Sequence, residues 1–155
     1  SDLIVAEQIV DVESSAEFVP DQQWLQSALN VPARENYKII SGRLVTADKV
    51  IHSPQDKKEF GERFSAEAVE METSAIAKVA TDKNLPFLSV RAISDSVEQE
   101  ILDSSSFLGS DGEISKLKAG WYVLTHPGSI ASALSLRSQT LRATRTMTEF
   151  VFHLL

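Results

Sequence analysis

Short stretches rich in β-branched and aliphatic residues recur along the chain, and helix-length segments separate them. Residues 3–12 (LIVAEQIVDV), 37–46 (YKIISGRLVT), 68–69 (AV) and 87–94 (FLSVRAIS) all carry this composition. It is the composition of strands, because branched side chains pack well on a pleated surface. The run 87–94 is nearly continuous in its apolar character, as expected for a strand covered on both faces. Helical patterns lie between. Pro20-Asp21 opens a helix to Leu29 with Trp24, Leu25 and Ala28 on one face. Ser53-Pro54-Gln55-Asp56 is a helix start, in which Ser53 can cap and Pro54 suits the first turn. From Thr73 to Asn84, Ile76, Ala77, Val79 and Ala80 have the spacing of a helix docked on a sheet. Alternation of this kind defines an α/β domain. The strands at 68–69 and 87–94, joined by one helix, are expected to form a right-handed parallel βαβ unit. Gly42 inside the second strand points to a bulge or a close backbone approach.

Past residue 95 the pattern changes. Residues 96–112 are polar and read as a loop, and residues 113–124 read as a helix. His126-Pro127-Gly128 turns the chain, and Ser129 caps a long last helix to about His153. Its apolar stripe is expected to include Ile130, Leu134, Leu141, Met147, Val151 and Leu154. The 155 residues read as one domain, 1–155.

Charge and composition narrow the function. The formal net charge is −7, with residues 1–36 acidic and the last helix bearing Arg137, Arg142 and Arg145. This balance argues against nucleic acid as a partner. No apolar run is long enough to span a bilayer. The chain has no cysteine, which removes disulfides and thiolate metal sites and makes a cytoplasmic setting the default. His52, His126 and His153 lie far apart without ligand spacing, so no metal and no cofactor is expected.

Two segments carry the chemistry: Val69-Glu70-Met71-Glu72-Thr73-Ser74-Ala75-Ile76-Ala77 and Val90-Arg91-Ala92-Ile93-Ser94-Asp95. Each puts carboxylates where a buried strand ends, the edge at which open α/β sheets bind ligands. Carboxylates there are partly desolvated and can be tuned for acid–base work. Plainer roles stand beside this one. Asp95 could cap the next turn, Glu70 and Glu72 could complement a helix dipole, and Arg91 could pair with a carboxylate.

VEMETSAIA followed by VRAISD resembles the motif pair of the nucleoside phosphorylase family, in particular its methylthioadenosine/S-adenosylhomocysteine nucleosidases. The opening SDLIV resembles the family's glycine-aspartate strand, with Ser1 in the place of glycine, and TADKVI at 46–51 resembles the strand end that lines the base pocket. Beyond residue 95 the Asp111-Gly112-Glu113 insertion and the Arg-bearing helix are more similar to a phosphorylase subgroup associated with hopanoid synthesis. The resemblance implies a three-layer phosphorylase-like sandwich around a mixed central sheet, lacking the first strands of the family fold. It implies cleavage of the N-glycosidic bond of a purine nucleoside, of the methylthioadenosine or adenosine type, by water or by phosphate. Asp95 matches the family's proton donor to the departing base, and Ser94 the neighbour that orients it. Glu72 matches the carboxylate on the ribose hydroxyls. Met71 and Glu70 accompany it in the substrate-binding segment, and Val50 and Ile51 occupy base-pocket positions, Val50 where an aromatic residue is common.

The family's upstream portion holds phosphate or activates water, and the six glycines here form no phosphate-cradling cluster. Impaired catalysis is the expectation on that reading, since orientation supplies much of the rate. An uncovered sheet edge would favour a homo-oligomer. The alternative is a non-catalytic paralogue, acting as a dimeric interaction module or a weak nucleoside binder.

Overall fold

The computed structural model describes residues 1–32, 37–98 and 128–155, with side chains in the last segment from residue 138. Among the described residues, five strands and four helices follow in the order β1 (Leu3–Asp11), β2 (Glu17–Phe18), α1 (Gln22–Leu29), β3 (Ile39–Thr46), α2 (Pro54–Phe64), β4 (Ala68–Glu70), α3 (Thr73–Asp82), β5 (Val90–Ala92) and α4 (Gly128–Leu154). The helix expected at 113–124 and most of the polar stretch 96–112 lie outside the described residues.

β1 is the axis of a mixed sheet ordered β2-β1-β3-β4. β3 runs parallel to it, Leu3 opposite Ile39 through Asp11 opposite Thr46, and β4 runs parallel to β3. The other edge of β1 is shared. β5 pairs antiparallel with Leu3–Val5, and the two-residue β2 pairs antiparallel with Ile9 and Val10.

The apolar run of β1 has a direct physical reading. Leu3 and Val5 point into one core with Leu25 and Ala28 of α1, Tyr37 and Phe150 of α4. Ala6 points into another core with Leu44 and Ala77 of α3. Strict alternation would then send Ile9 back toward α1 and α4. The register instead slips between Ala6 and Gln8, so Glu7 is an extra residue and Ile9 joins Ala6 over α3. The bulge sits opposite Gly42, and a Cβ added there would stand 2.6 Å from Glu67 Cγ and Cδ. Of the two alternatives its position suggested, Gly42 meets the bulge; the close approach against it is by the Glu67 side chain and not by a backbone.

Helix ends follow local chemistry. Asp21 accepts the Trp24 N–H at 3.0 Å and Ser53 the Asp56 N–H at 3.0 Å, two side-chain caps. α2 closes on Ser65 in the left-handed region, φ 49°.

Several expectations need correction. β4, α3 and β5 do not form a parallel βαβ unit: β5 lies against β1, antiparallel, so it runs opposite to β4. After α3 the segment before β5 is drawn to the open edge of β1, where Ala6 N–H reaches Ser89 O at 2.9 Å, and to the start of α1, where Asp21 N–H reaches Phe87 O at 2.9 Å. β5 spans only Val90–Ala92 and is half-buried rather than covered on both faces. Trp24 is 49% exposed because Leu25 and Ala28 alone turn inward. On α3 only Thr73, Ser74 and Ala77 are buried, while Ile76 and Val79 are exposed. The buried stripe of α4 runs through Ala143, Thr146 and Phe150, with Met147 and Leu154 half-buried, and Leu141 and Val151 face out.

Gly42→Ala is expected to push the Glu67 carboxylate off the Arg43 N–H, which it accepts at 2.6 Å, at a cost of about 1 kcal/mol. In a Glu67→Ala background the same substitution should be neutral or mildly stabilising, since an alanine no longer obstructs and glycine is the weaker strand former. Urea unfolding of the four proteins checks the cycle.

Candidate active site

The parallel strands β1, β3 and β4 end together, and α3 begins there. Thr46 and Glu70 are register partners at the ends of β3 and β4. Thr46 Oγ1 donates to Glu70 Oε1 at 2.5 Å and accepts the Ser74 N–H at 3.0 Å. Ser74 Oγ in turn donates to Asp11 Oδ2, at the end of β1, at 2.5 Å. The Glu70 carboxylate also accepts the Glu72 N–H at 2.9 Å and the Thr73 N–H at 2.8 Å. A carboxylate at the start of a helix, gathering N–H groups that the helix cannot satisfy itself, is a favourable placement.

Burial by itself raises the pKa of Glu70, but the hydrogen bonds from Thr46, Glu72 and Thr73 outweigh it and hold the carboxyl below its ordinary range. Asp11 is lowered too, chiefly by the Ser74 hydroxyl and then by Ser14.

The side chain of Glu70 is only 2% exposed, so it can act on a ligand only through the turn it holds. That turn presents Met71, 45% exposed, and Glu72, whose side chain is 67% exposed. Arg91 of β5 reaches across to both carboxylates, 3.9 Å from Glu70 Oε2 and 3.6 Å from Glu72 Oε2. This is the carboxylate-paired arginine the sequence suggested.

Past β5 the chain reaches Ser94 and Asp95, which line a cleft of about 520 Å³ with Lys57 and Gly61 of α2, Ala68 and Val69 of β4, and Arg91. Ser94 Oγ donates to Asp95 Oδ1 at 2.9 Å. Lys57 Nζ donates to Asp95 Oδ2 at 2.7 Å and to Ser96 O at 3.1 Å. Val50 and Ile51 line a second hollow with His52, Asp56, Glu59 and Arg63, and Phe60 of α2 lines both hollows.

The fold thus brings Ser94 and Asp95 together and sets Val50 and Ile51 next door across Phe60. Glu72 and Met71 line neither hollow. Arg91 links the Glu72 turn to the cleft, because it contacts Glu72 and forms part of the cleft wall. β4 and β5 point opposite ways, so their two acidic ends do not share one strand rim. Sequence reasoning missed Lys57, Thr46 and Ser74. Thr46 and Ser74 sit at the end of a strand and just inside a motif, which could have marked them; a lysine one turn into a capped helix carries no such mark. Among the described residues no three His, Asp or Glu side chains gather to hold a metal ion.

The sequence pattern of the Phosphorylase superfamily matches residues 5–120. The chain belongs to that superfamily. Among similar curated proteins, the 5'-methylthioadenosine/S-adenosylhomocysteine nucleosidase of Staphylococcus haemolyticus is 38% identical over 80 residues, covering 51% of this chain and 35% of the relative. The aminodeoxyfutalosine nucleosidase of Helicobacter pylori is 28% identical over 115 residues, covering 64% of this chain and 50% of the relative. Among solved structures, the Neisseria meningitidis 5'-methylthioadenosine/S-adenosylhomocysteine nucleosidase in complex with methylthio-immucillin-A superposes with a TM-score of 0.54 at 28% identity. That superposition covers 63% of this chain and 50% of the other. The chain therefore spans half or less of the length of these relatives. Their common architecture is the mixed sheet flanked by helices found here.

A depressed carboxyl in the folded state stabilises most where the unfolded chain has already lost its proton. The contribution of Glu70 is therefore whole well above pH 4.5 and drains away as pH falls below that value. Glu70→Gln is expected to cost about 2 kcal/mol at pH 7 and to lose less further stability on acidification than the parent. Urea unfolding at pH 7 and pH 3.5 measures both.

Proposed function

We propose that the chain supplies the base- and sugar-handling groups of a purine nucleosidase or nucleoside phosphorylase, acting on a nucleoside of the methylthioadenosine or adenosine type. The observation that carries this reading is Asp95 in an open cleft, its carboxylate held by the Ser94 hydroxyl at 2.9 Å.

Breaking a purine N-glycosidic bond leaves positive charge on the ribose ring and negative charge on the departing base. Asp95 answers the second need by carrying a proton to a base nitrogen, with Ser94 fixing its orientation. Glu72 answers the first. Exposed on the turn that Glu70 holds, it takes the ribose hydroxyls and favours the cation-like transition state. Met71 packs against the sugar, and Val50 and Ile51 against the base. The acceptor is water in the nucleosidase form of the reaction and phosphate in the phosphorylase form.

The relatives named above support the nucleosidase form. A cytoplasmic setting and self-association accompany the reading. Ile76 and Val79, 66% and 59% exposed on successive turns of α3, are suited to a contact between copies of the chain.

Calorimetry with adenine and adenosine, and release of free base from methylthioadenosine, adenosine and inosine with and without phosphate, test the proposal. Asp95→Asn should abolish adenine binding. Glu72→Gln should leave adenine binding intact and remove the advantage of the nucleoside over the free base. A parent chain that takes up neither adenine nor adenosine sinks the reading. Sedimentation equilibrium tests association: the parent should exceed monomer mass, and an Ile76→Lys/Val79→Lys variant should return to it.

A further inference from the structure

α2 has no buried residue. It is tied to the body by polar contacts, among them Arg43 Nη1 donating to Phe64 O at 3.1 Å. Yet Lys57, one turn into it, keeps its side chain 9% exposed, far below the 74% of its neighbour Lys58. Lysine rarely hides its length without a charged partner at the end. Here the partner is Asp95 at 2.7 Å, and the same ammonium also grips the carbonyl of Ser96.

We propose that Lys57 is a positioning residue for Asp95. Its ammonium holds Oδ2 from the α2 side while Ser94 holds Oδ1 from the chain side, so the carboxylate is pinned from two directions. A carboxylate has about four lone-pair directions, and two donors leave room for a base N–H. Lys57 therefore need not be displaced by a ligand. It orients the group that meets the ligand, and it keeps a positive charge beside the place where negative charge collects on the base. The grip on Ser96 O fixes the turn on which Asp95 stands. This inference rests on the purine reading above.

The test joins two measurements on the 155-residue chain. In the ligand-free protein, Lys57→Met and Asp95→Asn should each lower the urea midpoint, and the double variant should fall no further than the worse single one; additive losses overturn the pairing. In adenine calorimetry, Lys57→Met should weaken binding about tenfold, a loss of the size typical when a supporting contact is removed. Lys57→Arg should restore most of it. An unchanged affinity in Lys57→Met, with the parent binding normally, overturns the inference and leaves the purine reading standing. A parent that binds no adenine, while the stability losses remain non-additive, removes the purine reading and with it the role of Lys57 toward the base.

Discussion

A single extra residue in the central strand decides which side chains reach which helical layer. β1 is apolar almost throughout, and a flat alternation would send Ala6 and Ile9 to opposite faces. The slip at Glu7 turns the second half of the strand over, so Ile9 meets Leu44 and Ala77 beneath α3. The geometry opposite it depends on an absence of side chain: Gly42 leaves space that Glu67 fills, and Glu67 then supports the backbone of Arg43. The rest of the sheet is hung on this arrangement, since β3 shares the slip and β4 takes its register from β3.

The three acidic side chains of the two motifs show how environment divides roles among like groups. Glu70 is buried, its oxygens taken by N–H and hydroxyl donors, and its lowered pKa follows from them. Glu72, two residues on, is left to solvent with Arg91 at 3.6 Å. Asp95 is held by an ammonium and a hydroxyl at the wall of a cleft. The turn into α3 explains the first contrast: positions two apart would share a face of a strand, but the N–H groups of Glu72 and Thr73 draw the Glu70 carboxylate inward, while Glu72, at the cap position of the helix, is left out.

The sequence made β1, β3, α1, α2 and α3 legible because their signals are local: branched residues in runs, and caps at Asp21 and Ser53. Gly42 was legible for the same reason. β2 was not, since two residues form too short a pattern to notice. The direction of β5 was hidden because it depends on an open edge of β1 more than eighty residues earlier, and a helix between two strands ordinarily implies a parallel pair. Ile76 and Val79 carry helical spacing whichever side faces the sheet, so periodicity alone could not tell that Thr73, Ser74 and Ala77 turn in instead. In the site, motif order pointed to Asp95 and Glu72. The lysine that meets Asp95 came from a segment 38 residues away with no pattern of its own.

α2 carries both Lys57 and Phe60, three positions apart and so on neighbouring parts of one helix surface. One touches Asp95, and the other forms a wall common to two hollows. A rod with no fully buried residue, seated by polar ties and by half-buried Phe60 and Phe64, tilts at less expense than one docked on a buried apolar face. Any such tilt alters the breadth of both hollows at once and changes the reach of the ammonium in the same motion. Changes along the outward side of this rod therefore offer a route by which remote substitutions retune the cleft without touching its wall.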